Sequence, residues 1–190
     1  MRLLTELLEI NFIKIILSFL TALLITYFSI PSIVSVAKAK NLYDEPNGRT
    51  SHKHATPTLG GLAIFSAVII AMLIFFDFTS YADMQYVIAG SIILFFIGIK
   101  DDILSISPLK KLVGQIMAGL IVIILGNIHF TSIHGLFGLT TIPYSTSIFI
   151  TLFVIIVITN CFNLIDGIDG LASGVAILIS LTFGTWFVLI

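Results

Sequence analysis

An all-α polytopic membrane protein of about six transmembrane helices is the fold class this sequence predicts, with its N-terminus outside and its functional loops cytoplasmic. Three observations carry the expectation. Of the 190 residues, 58% are hydrophobic and only 10% are charged, against about 25% charged in a soluble domain. The mean hydropathy is +1.15. The apolar residues also gather into runs close to the ~20 residues that cross a hydrocarbon core of roughly 30 Å. Such a chain has too little polar surface to cover itself in water. Disorder is excluded, because it needs low hydrophobicity and high charge. A net charge of −1 with no basic stripe argues against nucleic-acid binding. A single cysteine, Cys161, excludes an internal disulfide framework.

In chain order the candidate spans are Phe12–Ile33, Leu59–Phe76, Tyr86–Ile99, Leu112–Ile128, Ile148–Phe162 and Leu171–Ile190. The third is short unless residues 82–85 join it, and the fifth unless residues 144–147 do. The gaps between spans decide orientation, since Lys and Arg collect on the cytoplasmic side. Lys38, Lys40, Arg49 and Lys53 fall in the first gap, and Lys100, Lys110 and Lys111 in the third, so seven of nine basic residues occupy alternate gaps. The gaps at 78–85 and 129–147 hold none. The reading is therefore one transmembrane domain over residues 1–190. Its cytoplasmic loops lie at 34–58, 100–111 and, by parity, 163–170, and an extracytoplasmic loop at 129–147 forms a short hairpin or interfacial loop. Lys14, near the start of the first span, is placed to snorkel outward. A cleaved signal peptide is disfavoured, because the first apolar run is too long and the flank before it carries Glu6 and Glu9.

The rare polar residues then point to chemistry. After Tyr86 every charged residue (Lys100, Asp101, Asp102, Lys110, Lys111, Asp166 and Asp169) lies in one of two clusters in the cytoplasmic gaps. An earlier cluster runs from Asp44 through Asn47, Arg49 and His52 to Gly61. Two adjacent acids at the C-terminal end of a helix oppose its macrodipole. They call for a cation, a proton or a neighbouring base. Asn160, Asn163, Asp166 and Asp169 recur every three residues. On a continuing helix they make one polar stripe, whose oxygen-only donors suit a hard ion such as Mg²⁺. A solvated loop and a capped helix end are the bland alternatives. Nonspecific attraction of Arg49, Lys53, Lys110 and Lys111 to anionic headgroups is another.

Three ordered motifs carry a family resemblance across about residues 40–175. The first is Asp44-Glu45-Pro46-Asn47 with Arg49, His52 and Pro57-Thr58-Leu59-Gly60-Gly61. The second is Asp101-Asp102 with Lys111-Leu112 and Gln115, and the third runs from Asn160 through Asn163, Asp166 and Asp169 to Leu171. Together they resemble the polyprenyl-phosphate N-acetylhexosamine-1-phosphate transferases of glycosyltransferase family 4. Within that family they are more similar to the branch that begins teichoic acid, O-antigen and related envelope polymers. The resemblance implies a Mg²⁺-dependent reaction, with Mn²⁺ as a substitute, at a bacterial cytoplasmic (inner) membrane. A UDP-N-acetylhexosamine gives its sugar 1-phosphate to a polyprenyl phosphate lipid and UMP is released.

By the same resemblance Asp101, Asp102, Asp166 and Asp169 are catalytic. The first two deprotonate or position the lipid phosphate, and the second two hold the nucleotide or tune the metal site. Asn47, Arg49, His52, Lys111 and Asn160 bind substrate, and Asn163 is the Mg²⁺ ligand. Direct attack by the lipid phosphate is preferred to a covalent aspartyl intermediate. Oligomeric state is open, a homodimer among the options. The family continues past the third motif, whereas nothing after Asp169 is ionisable here. The resemblance therefore also leads one to expect a truncated product, inactive alone or paired with a separate polypeptide. The rival class is a cation or proton transporter, whose acids should lie near the bilayer midplane.

Overall fold

The computed structural model describes residues 2–44, 56–57, 59–133, 135 and 140–189. The chain is an all-α membrane protein, with a helix on each of the six expected segments. These are α1 (Arg2–Ala39), α2 (Gly60–Phe75), α3 (Met84–Leu104), α4 (Pro108–Leu120, continued by a π-helical turn Ile121–Leu125), α5 (Tyr144–Ile165) and α6 (Leu171–Leu189). Two strands of two residues, β1 (Tyr43–Asp44) and β2 (Thr56–Pro57), pair with each other. Asn11–Ala39, Pro108–Leu125, Tyr144–Ile165 and Leu171–Leu189 are long and apolar enough to cross a membrane. Gly60–Phe75 is a shorter apolar helix.

Helices outrun the apolar segments because local stop signals, not hydropathy, end them. α1 continues to Ala39 and closes where Asn41 turns left-handed at φ 55°. The Leu42 N–H donates to the Ala37 carbonyl at 2.9 Å and the Asn41 N–H to the Lys38 carbonyl at 3.2 Å, a Schellman closure with Asn in place of Gly. α3 begins at Met84 and carries Lys100, Asp101 and Asp102 inside its last turns. Those three residues are helical, not loop. α5 starts at Tyr144, directly after Pro143, so residues 144–147 do join it.

The chain divides into two compact units, one of Met1–Tyr43 with Pro57–His129 and one of Asp44–Thr56 with Phe130–Ile190. In the first unit α1 packs on α2 and α3 packs on α4. Ala63, Ala67 and Ala71 of α2 are all buried and recur every fourth residue, a small-residue ridge that lets backbones approach. Phe65 of α2 stacks on Phe95 of α3 with ring centroids 4.0 Å apart.

The α3–α4 pair is an antiparallel hairpin whose register can be followed along its length. A Cβ added at Gly90 would meet Val122 Cγ2 at 2.9 Å and the Ala118 carbonyl oxygen at 3.0 Å, while Gly126 lies against Tyr86 and Gly114 against Ile97. Lipid offers no hydrophobic drive between helices, so such close van der Waals packing holds them. Replacing Gly90 with Leu must push the α4 backbone away. The expected loss is about 1–3 kcal/mol, read as a lower unfolding midpoint in detergent. Gly98, on the same helix, has nothing within 4 Å of an added Cβ among the described residues. Gly98→Ala should leave the midpoint unchanged or raise it. Equal losses at both positions would refute the packing account.

Between α2 and α3, Asp77 accepts from the Thr79 N–H at 3.0 Å, the Thr79 hydroxyl at 2.5 Å and the Ser80 hydroxyl at 2.7 Å. These donors, the Thr79 hydroxyl foremost, hold its carboxyl down at about 2. The turn thus keeps its charged acceptor above the ordinary carboxylate range and loses it only as pH falls towards 2.

In the second unit the Phe130 N–H donates to the Thr151 hydroxyl at 3.0 Å, the Ser147 hydroxyl donates to the Phe130 carbonyl, and the Thr151 hydroxyl also reaches the Ser147 carbonyl at 2.7 Å. Buried Ser147 and Thr151 thereby tie the incoming loop to the first two turns of α5. That loop pairs Ser132 with Thr141 in an antiparallel bridge, in keeping with the short hairpin expected there. α6 has no buried residue. Its Phe187 and Leu189 are 74% and 83% exposed, as suits a helix solvated by hydrocarbon.

Candidate functional site

The first polar cluster is built by the turn that joins α3 to α4. Ser105 takes φ 44°, and its N–H donates to the Asp101 carbonyl at 2.9 Å, closing α3 with a left-handed residue. The next N–H, that of Ile106, would ordinarily seek the same carbonyl. Here it donates to Asp101 Oδ1 at 3.0 Å. Asp101 Oδ2 accepts from Lys111 Nζ at 3.0 Å. One carboxylate thus serves both arms of the hairpin. It caps the turn that leaves α3 and pairs with the first turn of α4, which starts cleanly because Pro108 stands at its first position. The side chains of Lys111 and Asp101 are 19% and 27% exposed, so the pair is shielded more than a surface ion pair. Its net worth is about 1 kcal/mol.

The cation that two adjacent acids call for is therefore found inside the chain for Asp101. Asp102, the next residue, is exposed. Gln115 lies one turn beyond Lys111 on the same face of α4 and is only 2% exposed. A polar side chain so buried in an apolar span marks that face as more than filler. Its signal in the sequence was the four-residue spacing from Lys111.

The second cluster lies where α5 ends. Asn160 and Asn163 are on the last two turns of α5, Asp166 is its C-terminal cap, and Asp169 follows in the turn to α6. The stripe is helical for its first half only. The Asp166 N–H donates to the Phe162 carbonyl at 3.1 Å, the Ile168 N–H to the Ile165 carbonyl at 3.2 Å and the Leu171 N–H to the Ile168 carbonyl at 3.0 Å. Gly170, at φ 76°, reverses the backbone as only Gly does without strain. Asn160 donates its side-chain amide to the Ile156 carbonyl at 2.8 Å. Asn163, Asp166 and Asp169 are exposed.

Among the described residues no group of three or more His, Cys, Asp or Glu is gathered to hold a metal. An all-protein cage is not what this segment offers. Its oxygen donors fit an ion that keeps most of its waters and takes one or two protein oxygens together with substrate phosphates, the habit of Mg²⁺. Asn47, Arg49 and His52 lie outside the described residues.

An α-helical membrane domain whose carboxylates after Tyr86 all lie at helix ends and turns defines a class of polytopic membrane protein with its polar side chains gathered at the ends of its helices. The chain belongs to glycosyl transferase family 4, whose profile matches residues 84–190. It is similar to an undecaprenyl-phosphate alpha-N-acetylglucosaminyl 1-phosphate transferase of Escherichia coli O157:H7, 32% identical over 74% of this chain and 38% of the relative. A decaprenyl-phosphate N-acetylglucosaminephosphotransferase of Mycobacterium tuberculosis (strain CDC 1551 / Oshkosh) is 29% identical over 85% of this chain and 42% of the relative. A probable undecaprenyl-phosphate N-acetylglucosaminyl 1-phosphate transferase of Bacillus subtilis (strain 168) is 31% identical over 90% and 48%. The chain thus spans less than half the length of each of these relatives. No solved structure matches it.

Proposed function

We propose that this protein acts in the transfer of N-acetylglucosamine 1-phosphate from its UDP derivative to a membrane polyprenyl phosphate, the step that begins an envelope polysaccharide at the cytoplasmic membrane. Family membership carries the reading, because the matched region includes the Asp101-Asp102 pair and the whole run from Asn160 to Leu171. The relatives' names supply the sugar and the lipid.

In the reaction an oxygen of the lipid phosphate attacks the sugar-bearing phosphorus of the diphosphate. The bond to the UMP oxygen breaks and UMP leaves. Both reactants are anions, so neutralising and aligning them dominates the catalysis. Asp102, exposed beside the braced Asp101, takes any proton remaining on the lipid phosphate and orients its oxygen. Asn163, with Asp166 or Asp169, would provide oxygens to hold Mg²⁺, which when bound would offset the phosphate charges. The Asn160 side-chain oxygen and the remaining carboxylate receive the nucleotide sugar.

The test is transfer of label from UDP-[¹⁴C]GlcNAc into butanol-extractable lipid by membranes containing the protein, with UMP counted in parallel. The expected result is equimolar lipid product and UMP, abolished by EDTA and restored by Mg²⁺. Cation or proton flux in proteoliposomes without lipid product would overturn the reading in favour of a transporter.

A further inference from the structure

The first unit carries a groove between the first half of α1 and the end of α2. It has a volume of about 310 Å³ and is lined by Lys14, Ile15, Ser18 and Phe19 of α1 and by Met72, Phe75 and Phe76 at the end of α2. Its walls are apolar except for one ammonium and one hydroxyl. Between Lys14 and Lys38 α1 bears no charge. Those 24 residues of helix span about 36 Å, the hydrocarbon thickness with a little to spare. With Lys38 at one interface, Lys14 stands at the other.

The end of α2 independently gives the same depth. Phe76 meets Phe78 and Tyr81 edge-on or tilted at 5.0 and 5.8 Å, and Tyr is one of the residues that gather at a membrane–water boundary. The acid next to the groove wall, Asp77, is engaged by Thr79 and Ser80.

The geometry points to a binding site for an anionic glycerophospholipid on the face opposite the first cytoplasmic loop. Its phosphodiester sits at the Lys14 ammonium and the Ser18 hydroxyl, and an acyl chain lies along Phe19, Met72 and Phe75. A cation alone would attract headgroups diffusely. A cation at the mouth of an apolar trough of this volume selects a molecule that is anionic at one end and hydrocarbon at the other.

The test reconstitutes the protein in equimolar phosphatidylglycerol and phosphatidylcholine vesicles. It compares spin-labelled forms of the two lipids in the motionally restricted layer around the protein. Phosphatidylglycerol should be enriched. Lys14→Gln should lower its relative affinity about fivefold, and Lys14→Arg should keep it. Met72→Trp fills the trough without touching the charge and should also lower it. Unchanged enrichment in Lys14→Gln would overturn the site. So would a loss in Lys14→Gln with none in Met72→Trp, which is diffuse headgroup attraction. Displacement of the lipid by millimolar glycerol 3-phosphate would overturn the lipid as occupant and point to a soluble phosphate. Far-ultraviolet circular dichroism confirms that each variant is folded.

Discussion

Asp102→Asn should lower the rate of lipid-linked sugar formation by a factor of about 10²–10⁴, the range a positioned general base supplies. It should leave UDP-sugar binding unchanged. Asp101→Asn should behave differently, although the two residues adjoin. Asp101 braces the α3–α4 hairpin through the Ile106 N–H and Lys111. Its amide variant keeps an acceptor for that N–H but leaves a half-buried Lys111 without its counter-ion. The expected cost is about 1 kcal/mol, a fall of about 2–4 °C in midpoint, with a partial loss of transfer. Neutralising Lys111 as well, as Lys111→Met, should recover part of the midpoint. Measured together, kcat, nucleotide affinity and midpoint separate the roles. If Asp101→Asn abolishes transfer at an unchanged midpoint, Asp101 is the base and the assignment here is reversed.

Asn163→Ala should raise the Mg²⁺ concentration for half-maximal transfer at least about tenfold, judged by the 10–100-fold losses that follow removal of even outer-shell groups. Asn163 is exposed at the end of α5, and the neighbouring donors are the carboxylates of Asp166 and Asp169. Each takes a larger share of a hydrated ion when the amide oxygen goes. Asn163→Asp keeps an oxygen at that place and should hold affinity near the parent value. Mg²⁺ titration of initial rates checks both. A lowered kcat with an unmoved titration midpoint would move Asn163 from metal binding to substrate binding.

Among the described residues, the six helices and the positions of the two later polar clusters along them were legible from the residues alone, for a plain physical reason. Burying charge in hydrocarbon is so costly that apolar runs and charge positions nearly dictate which segments cross and which do not. Helix ends were less legible. The third segment looked short because Lys100, Asp101 and Asp102 break its hydropathy, yet backbone hydrogen bonding carries α3 through to Leu104. A helix ends where a left-handed residue such as Ser105 or Asn41 lets it close, and no hydropathy window contains that.

What the sequence by itself determined is the class: six apolar helices, oxygen donors and bases gathered at their ends, and motifs that place the chain in its family. Tertiary structure alone distinguished Asp101 from Asp102. Residues 101 and 111 are ten apart in the chain, and their meeting depends on the three-residue turn and on how closely Gly90, Gly114 and Gly126 let α3 and α4 pack. Two identical side chains in adjacent positions differ only in which way the helix turns each one, and that direction is a property of the packed hairpin.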